Sequence, residues 1–464
     1  MIFEILFTRA MLIRKKLLCA LLLSCFVTAS FAESLSLDFA AARSLAHERS
    51  DVIKMSVSET ARRSHETESL KSLHGPKVTA EFRQLWGSKD VDLGNKKISL
   101  GAGLPSISVP LTFSQDLYGP RVIGAVELPI YTGGAISAKI AASEASVTES
   151  REDERATHNR LDVQVVQKYF GLQLTRSVEN LRRSSLNEQD DQLKRAKRLN
   201  DVGSISKLEK MAVAVDRDKA ARELIASQTD TRIAASELSR LLHEDSIGKL
   251  TTPLFVIPGS IGTLDSWQKK AIFTSPQLRA VRAKRHQAES GLKAAKAAWA
   301  PQIYAFAQGN AIKHYLSMTE PDWVAGIGVK ITLWDNKDRS ESVAAARSLV
   351  DKASAGILEA ESQIEQAVET AYLRTLQMQD QYQLTLSTLD LARENLRLRK
   401  RAFEEGLCTA TELNEARTKL LASEIARRVS AYQFVVSWAS LNAICGTPEE
   451  FVESISRKDN FIEK

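Results

Sequence analysis

Two glutamates late in the chain are placed where they could act together. Glu412 and Glu415 are three residues apart, so a helix that begins after Gly406 carries both carboxylates on one face. An earlier segment is similar, because Glu209 follows Gly203 by six residues, as Glu412 follows Gly406. Acids in the first turns of a helix stabilise its positive N-terminal end by about 0.3–1 kcal/mol. The carboxylates therefore either support their helices or form a charged site.

No catalytic signature accompanies these acids. The sequence contains no HExxH, no GxSxG, no phosphate-binding P-loop and no zinc-like cluster of cysteine and histidine. Its histidines are scattered, at His47, His65, His74, His158, His243, His286 and His314. Scattered histidines on predicted helices are typical of solvated or packed side chains. We therefore predict a protein that is not an enzyme and that uses no metal or cofactor.

The N-terminus has the pattern of an export signal. Basic residues at positions 14–16 precede an apolar run at positions 17–27, and small residues then predict cleavage after Ala32. The alternative, an uncleaved anchor, would need a span of about 20 apolar residues. Lipidation at Cys25 is a minor alternative, because a bulky leucine stands where a lipoprotein site has a small residue. We predict a signal peptide over residues 1–32.

The net charge argues against a nucleic-acid-binding protein, and the cysteine positions argue against an intrachain disulfide. The chain has a net charge of +6, and the predicted signal carries four basic residues and one acid, which leaves about +3. These charges are spread out, so the sequence predicts no nucleic-acid partner. Cys408 and Cys445 remain after cleavage. A helix between them would hold them about 50 Å apart, whereas a disulfide needs Cα atoms within about 7 Å, so an intrachain bridge is not expected.

Long helices dominate the rest of the chain. Residues 135–200 lack proline and would extend about 100 Å as one helix. Tyr382, Leu389, Leu396 and Phe403 are seven residues apart, a spacing that indicates coiled-coil packing. After the signal, no apolar stretch reaches the roughly 18 residues of a transmembrane helix. If the exported chain enters a membrane, it must do so as strands closed into a barrel.

The mature chain repeats one plan twice. Pro76 and Pro301 open similar strand segments 225 residues apart, whereas Gly203 and Gly406 are 203 residues apart. The difference of 22 equals the extra length of the first repeat between its two strand segments, 53 residues against 31. One longer loop therefore reconciles the two offsets. We predict a first repeat over residues 33–250 and a second over residues 251–464.

Each repeat contains two short segments that alternate apolar and polar side chains. The predicted strands cover residues of about 77–86, 121–130, 302–309 and 323–333. Such alternation is typical of membrane barrel strands, although any half-buried sheet has the same period. Aromatic residues lie near the predicted strand ends, at Trp86, Tyr131, Trp323 and Trp334. The polar segment from Gly87 to Pro120 is predicted to be an extracellular loop.

These features together resemble one known family. The matching residues are Leu37-Asp38, the run Leu128-Pro-Ile-Tyr-Thr-Gly133-Gly134, the run Phe403…Gly406…Glu412-Leu…Glu415-Ala, and Trp438…Leu441…Cys445-Gly446. With the duplication, the signal and the long helices, the chain resembles the TolC family of outer-membrane efflux and secretion channels. The resemblance implies a mostly α fold with membrane β-strands, in which each protomer gives four strands to a trimeric 12-stranded barrel. Long coiled-coil helices would form a periplasmic α-helical tunnel.

The resemblance also implies roles for particular residues. The turns at Gly203 and Gly406 would form the periplasmic tip, and Gly133-Gly134 would join strand to helix. Glu412, Glu415 and Glu209 would form acidic rings at the tunnel constriction, where crowded carboxylates attract cations and raise one another's pKa. Related channels lock this tip with a tyrosine and an arginine. Phe403 and Cys408 stand at those positions, so either closure would rest on Phe403 packing or the resting tip would be looser.

The implied function is export through the outer membrane. A homotrimer in the outer-membrane bilayer, extending into the periplasm, would pass small toxic molecules or proteins from an inner-membrane transporter and a periplasmic adaptor to the exterior. The cargo stays open between drug efflux and protein secretion. The alternative is a periplasmic coiled-coil adaptor or structural protein, which shares export and long helices but lacks paired strands in symmetric positions.

Overall fold

The computed structural model of the protein describes residues 36–463 except 99–100, 102–105, 317–319 and 335–337. The predicted signal peptide lies outside the described residues. The helices are α1 (Phe39–Arg49), α2 (Asp51–Lys71), α3 (Ala135–Asp201), α4 (Lys207–Leu242), α5 (Leu264–Thr274), α6 (Pro276–Ala297), α7 (Arg339–Glu404), α8 (Ala410–Ile444) and α9 (Pro448–Ile455). The strands are β1 (Lys77–Leu85), β2 (Ser88–Ile98), β3 (Ile107–Asp116), β4 (Gly119–Tyr131), β5 (Leu254–Val256), β6 (Gln302–Asn310), β7 (Trp323–Lys330) and β8 (Phe461–Glu463).

A serine interrupts the first helical segment of each half at the same place. Ser50 separates α1 from α2, and Ser275 separates α5 from α6, each after a helix of 11 residues. Both serines have extended ψ angles, of 119° and 122°, which end the preceding helix. Pro276 then opens α6, where its missing N–H would have no helical partner. Ser50 and Ser275 are 225 residues apart, the same offset as Pro76 and Pro301.

Two long helical hairpins give the molecule its length. Helix α3 has 67 residues and α7 has 66, so each extends about 100 Å. Each returns through a glycine turn into a shorter helix, α4 after α3 and α8 after α7. Of the four residues with seven-residue spacing in α7, Tyr382 and Leu389 are buried, and Leu396 and Phe403 are half-buried. None of the described helices is both long enough and apolar enough to cross a lipid bilayer.

Four antiparallel strands form one sheet in the order β1-β4-β6-β7. Each half contributes a pair of adjacent strands, and the two pairs join where β4 of the first half pairs with β6 of the second. The prediction of a loop from Gly87 to Pro120 is wrong, because β2 and β3 pair there as a separate two-stranded ribbon. Apolar cross-strand pairs such as Val91 with Phe113 stabilise this ribbon, and only the sequence of β2 is predominantly polar.

The apolar core lies where the two halves meet, midway along the molecule. Its aromatic centre brings together α1, α3, β5 and α9 through Phe39, Tyr169, Phe170, Phe255 and Phe451, whose neighbouring ring centroids are 5.2–6.2 Å apart. The Tyr169 hydroxyl donates to the Leu37 carbonyl at 2.8 Å and accepts from the Thr252 N–H at 3.1 Å. These rings are almost fully buried, so they fix the junction of the helices firmly.

A buried carboxylate beside this core connects α1 with α3. Asp162 accepts two hydrogen bonds from the Arg43 guanidinium, at 2.8 and 3.0 Å, and one from His47 Nε2 at 2.6 Å. Arg43 also donates to Glu449 on α9 at 2.7 Å. Burial alone would raise the pKa of Asp162, but the hydrogen bonds from His47 and Arg43 hold it below its ordinary value. The His158 ring stacks on His47, with the two Nδ1 atoms 2.9 Å apart.

The remaining cysteines are free. Cys408 is half-buried and Cys445 is buried, and helix α8 separates them. Burial raises the pKa of Cys445 to about 12, so its thiol behaves as an apolar side chain. The division of the chain at residue 250 into two repeats stays a prediction.

Candidate functional site: the helical tips and the strand end

Both helical hairpins turn through a glycine in the left-handed conformation. Gly203 and Gly406 each have φ of 75°. In the first turn, the Gly203 N–H donates to the Asn200 carbonyl at 3.0 Å and the next N–H donates to the Leu199 carbonyl at 2.8 Å. The second turn has the same two bonds, to Phe403 at 3.1 Å and to the residue before it at 2.8 Å. This pattern satisfies the last carbonyls of each long helix and requires a residue that tolerates positive φ.

The glutamates that follow the two glycine turns cap the N-termini of the next helices. Ser206 caps α4 and Thr409 caps α8, and each forms a reciprocal capping box with the glutamate three residues later. The Thr409 N–H donates to the Glu412 carboxylate at 2.9 Å, and the Glu412 N–H donates to the Thr409 hydroxyl at 3.3 Å. Glu209 and Ser206 have the same bonds, at 2.9 and 3.2 Å. Glu209 and Glu412 thus have a structural role in each protomer.

The expectation of a raised pKa does not describe Glu412 within the protomer. Hydrogen bonds from the Thr409 N–H and hydroxyl, and from the Cys408 thiol, lower the pKa of Glu412 to about 2, and the nearby Arg399 adds to the effect. Arg399 lies on α7 with its guanidinium 3.1 Å from the Glu412 carboxylate and 3.8 Å from the Cys408 sulfur. This arginine was missed from the sequence, because nothing local indicates that residues 13 apart meet across a turn.

Glu415 differs from Glu412 although the two are one turn apart. Its side chain is exposed, and in the described part of the chain no hydrogen bond or ion pair involves it. Leu413 and Ala416, on the other face of the same helix, are buried. The structure therefore separates the two predicted acids: Glu412 is held at the helix start, whereas Glu415 is directed away from the packed face and retains an uncompensated charge.

A cavity of about 500 Å³ lies between the two hairpins at the tips. It brings Glu209 of the first hairpin together with Phe403, Gly406 and Cys408 of the second, whereas Glu415 is not among its lining residues. Phe403 is half-buried there, which is consistent with an apolar contact in place of a polar lock. Arg417 also lines the cavity, and burial lowers its pKa from the ordinary value.

The four-stranded sheet has one apolar and one polar face. The register places Val78 and Phe82 of β1, Val126 and Leu128 of β4, and Ile327 and Val329 of β7 on one side. Most of these side chains are more than half exposed in the protomer. The opposite side carries Thr79, Glu81, Arg83, Arg121, Glu127, Gln308 and Lys330. An exposed apolar face of this size backed by a polar one fits lipid on one side and water on the other.

Glycines on the polar face make room for aromatic rings. A Cβ added to Gly328 would lie 2.5 Å from the Tyr304 ring, and one added to Gly326 would lie 3.4 Å from the Phe306 ring. These glycines pair directly with the two aromatic residues across β6 and β7. The rings can therefore lie flat along the sheet instead of projecting from it, which keeps the polar side open.

The join between sheet and helix depends on two left-handed glycines. Gly133 and Gly134 have φ of 64° and 83°, and they turn the chain from β4 into α3. A Cβ on Gly133 would lie 2.3 Å from the Ala300 Cβ and 3.0 Å from the Ala297 carbonyl oxygen. Around Gly134 nothing lies within 4 Å. Gly133 is therefore needed for the close approach of two chain segments, whereas Gly134 is needed only for the turn.

Aromatic side chains surround both ends of the sheet. Trp86, Tyr131, Trp323 and Trp334 are all exposed in the protomer, and Trp334 is 90% exposed. Large exposed rings near strand ends suit the interface between lipid and water, where the ring is in contact with lipid and the polar tip with water.

Comparison with known proteins supports one family. A family model described as outer membrane efflux protein matches residues 97–243 and 267–447, which is more than half of the chain. Comparison with curated proteins finds no significant match.

Several solved structures share the fold. CusC is 14% identical with a TM-score of 0.73, and the match covers 90% of this chain and 95% of CusC. The CmeC outer membrane channel of Campylobacter jejuni is 13% identical with a TM-score of 0.69, covering 90% and 89%. VceC of Vibrio cholerae is 11% identical with a TM-score of 0.69, covering 88% and 96%. At these identities the likeness establishes the fold alone.

Proposed function

The chain belongs to the outer membrane efflux protein family. From this premise we propose that it is the outer-membrane channel through which small toxic molecules, delivered by an inner-membrane pump, leave the cell. Channels of this family are not enzymes; they are homotrimers in the outer membrane that extend a helical tunnel into the periplasm. They act together with periplasmic adaptors and inner-membrane pumps. What this chain transports, and which pump delivers it, are our proposals.

The proposal rests on the two long helices that connect the sheet with the tips. Helices α3 and α7 leave the sheet end and run about 100 Å without a break before the two glycine turns. A periplasmic tunnel requires this length, whereas a small globular binding protein does not.

Three copies of the chain would pair the open edges of the four-stranded sheet. Strands β1 and β7 form the edges of the sheet, and neither has a second strand partner within the described residues. Unpaired edges are not tolerated in lipid, because every backbone group there needs a hydrogen-bond partner. We infer that β1 of one protomer pairs with β7 of the next, which gives twelve strands with the polar face inside.

A small-molecule cargo accounts for the narrow tip better than a folded or unfolding polypeptide does. The two hairpins meet around Phe403, and Glu415 lies exposed on the helix that follows the second turn. The family description also refers to efflux. Protein secretion is the second candidate, since the same architecture serves a one-step export machine.

Deletion of the gene from its host tests the cargo. We expect intracellular accumulation of a fluorescent organic cation to rise and to return to its original level when the gene is restored on a plasmid. The set of proteins in the culture medium should not change. Normal accumulation together with the loss of a particular exported protein would contradict the proposal and favour secretion.

At the tip, we infer that Glu415 contributes the carboxylates that face the tunnel, because Glu412 is used in the cap of α8. Three-fold symmetry would place three Glu415 side chains around one axis, and rings of acids favour cations. We expect Glu415→Gln to lower the cation-to-anion permeability ratio by a factor of about three, on the order of 0.6 kcal/mol. Planar-bilayer recordings of the purified trimer in a salt gradient measure this ratio.

Glu412→Gln is the matched control for this experiment. It removes one carboxylate from the same helix turn but keeps a side chain that can still close the capping box. We expect its permeability ratio to stay close to that of the unmodified channel. A larger effect for Glu412→Gln than for Glu415→Gln would show that our assignment of the two acids is reversed.

A further inference from the structure

Two histidines are in direct contact where α1 meets α3. His47 lies on α1 and His158 lies on α3, 111 residues further along the chain, and their Nδ1 atoms are 2.9 Å apart. Both side chains are half-buried, so protons from the surrounding solution can reach them. The function proposed above makes no use of either residue.

The bond between His47 and Asp162 fixes the position of one proton. His47 Nε2 lies 2.6 Å from the Asp162 carboxylate, which also accepts from Arg43. Despite its burial, Asp162 has a pKa below its ordinary value, because His47 and Arg43 donate to it. An ionised carboxylate only accepts hydrogen bonds, so the proton lies on His47 Nε2. The Nδ1 atom of a neutral His47 is therefore an acceptor.

The contact between the two Nδ1 atoms accommodates a single proton. When both rings are neutral, the His158 Nδ1–H donates to His47 Nδ1. When one proton is added, His47 becomes doubly protonated and its Nδ1–H donates to His158, which then carries its own proton on Nε2. Both of these states keep the hydrogen bond.

A second added proton removes this hydrogen bond. Both rings then carry a hydrogen on Nδ1, so two donors and two positive charges face each other with no acceptor between them. Like charges at this separation repel, and half-burial makes the repulsion stronger than it would be in water. The rings must then move apart, which disturbs the packing of α1 on α3.

The described charged groups that act on the pair come from three helices. They are Arg43 of α1, Glu154 and Asp162 of α3, and Glu449 of α9. Arg43 already forms ion pairs with Asp162 and Glu449. Burial and the neighbouring His47 lower the pKa of His158 from its ordinary value, although the nearby acids act in the opposite direction. The surroundings therefore disfavour the second proton.

We propose that His47 and His158 form a proton-sensing pair that holds α1 against α3 near neutral pH and releases this contact in acid. Helix α1 also carries Phe39, which packs in the aromatic core, and Arg43, which pairs with Glu449 of α9. Release of the histidine contact would therefore loosen the junction of the two halves. This effect does not depend on which cargo the channel carries.

The two kinds of titrating group lose their contribution to stability in different pH intervals. His158 binds its proton more weakly in the folded protein than in the unfolded chain. Its contribution is therefore complete above its ordinary pKa of about 6.5 and is lost as the pH falls below that value. The pKa of Asp162 is lowered from about 3.8, so its contribution is lost only in much stronger acid.

Thermal unfolding of the purified trimer in detergent, at about pH 7.5 and about pH 5.5, tests the proposal. We expect the unfolding temperature of the unmodified protein to fall in acid, and the fall to be smaller by about 2 °C or more in His158→Gln. Glutamine offers a donor and an acceptor to His47 but takes up no proton, so this contact survives the change of pH. His286→Gln is the matched control, because His286 lies exposed beside Glu289 on α6. It should keep the full fall.

Hydrogen exchange in the unmodified protein gives a second measurement that needs no variant. Exchange in α1 is compared with exchange in α5, a helix of the same length in the second half, after correction for the intrinsic effect of pH. We expect α1 to lose protection about threefold or more relative to α5 at about pH 5.5.

Three results would overturn the proposal. The first is an equal fall in unfolding temperature for His158→Gln and the unmodified protein. The second is unchanged protection of α1 relative to α5 in acid. The third is a His286→Gln variant that reduces the fall as much as His158→Gln does, since this would show that the effect does not come from the histidine pair.

Discussion

Replacing Asp162 by alanine should destabilise the protein by about 3–5 kcal/mol, the cost typical of removing one partner from a buried charged cluster. Asp162 accepts hydrogen bonds from Arg43 and His47, and it is 6% exposed. Without it, the Arg43 guanidinium stays partly buried, and Glu449 is its one remaining acidic partner among the described residues. Thermal unfolding of the detergent-solubilised trimer at a fixed scan rate measures the effect.

Two variants show whether the effect comes from the buried cluster. Asp191→Ala removes the same side chain from the same helix, but Asp191 forms an exposed pair with Lys194, so its cost should stay below about 1 kcal/mol. In an Arg43→Ala background, Asp162→Ala should cost less than in the unmodified protein, because its main partner is already gone. Equal shifts for Asp162→Ala and Asp191→Ala would contradict the argument.

The location of this cluster indicates why it matters for a channel. Asp162 lies on a long helix of the first half, Arg43 lies near the start of the chain, and Glu449 lies near its end. The aromatic core beside it joins the same elements. The cluster thus holds both halves together at mid-height, so its loss should loosen the arrangement of the helices that lead to the tips.

Local features of the fold could be predicted from the sequence. The long helices follow from 66 residues without proline, and the strands follow from alternation at Val78 and Phe82. The capping boxes were missed, although the sequence carries their signature, because Ser206 and Thr409 stand three residues before Glu209 and Glu412. That signature, rather than the shared face of the acids, explains the position of Glu412.

Contacts between distant residues could not be predicted in this way. Arg43 and Glu449 are 406 residues apart, and Arg43 and Asp162 are 119 apart. Each looks like an ordinary surface charge on a helix when it is read in sequence. The ribbon of β2 and β3 was missed for a different reason. Strand β2 is a polar segment, whereas β3 alternates Ile107, Val109, Leu111 and Phe113 with other residues, a strand period that was overlooked within the polar segment.

Replacing Gly133 by alanine should cost about 2–5 kcal/mol and lower the yield of folded trimer. The left-handed conformation itself costs a residue with a Cβ about 1–2 kcal/mol. The new methyl group would also lie 2.3 Å from the Ala300 Cβ, and forcing extra atoms into a packed site adds about 1–3 kcal/mol. Either β4 or the end of α6 must move, which would disturb the join between the membrane sheet and the helices.

Gly134→Ala separates the two contributions to this cost. Gly134 has the larger positive φ, of 83°, but an added Cβ there would meet nothing within 4 Å. It should therefore cost only the conformational part, about 1–2 kcal/mol. The comparison is made by thermal unfolding and by the amount of heat-sensitive trimer in detergent. If the two variants are equally stable, the contact with Ala300 does not constrain the join, and the turn itself accounts for both glycines.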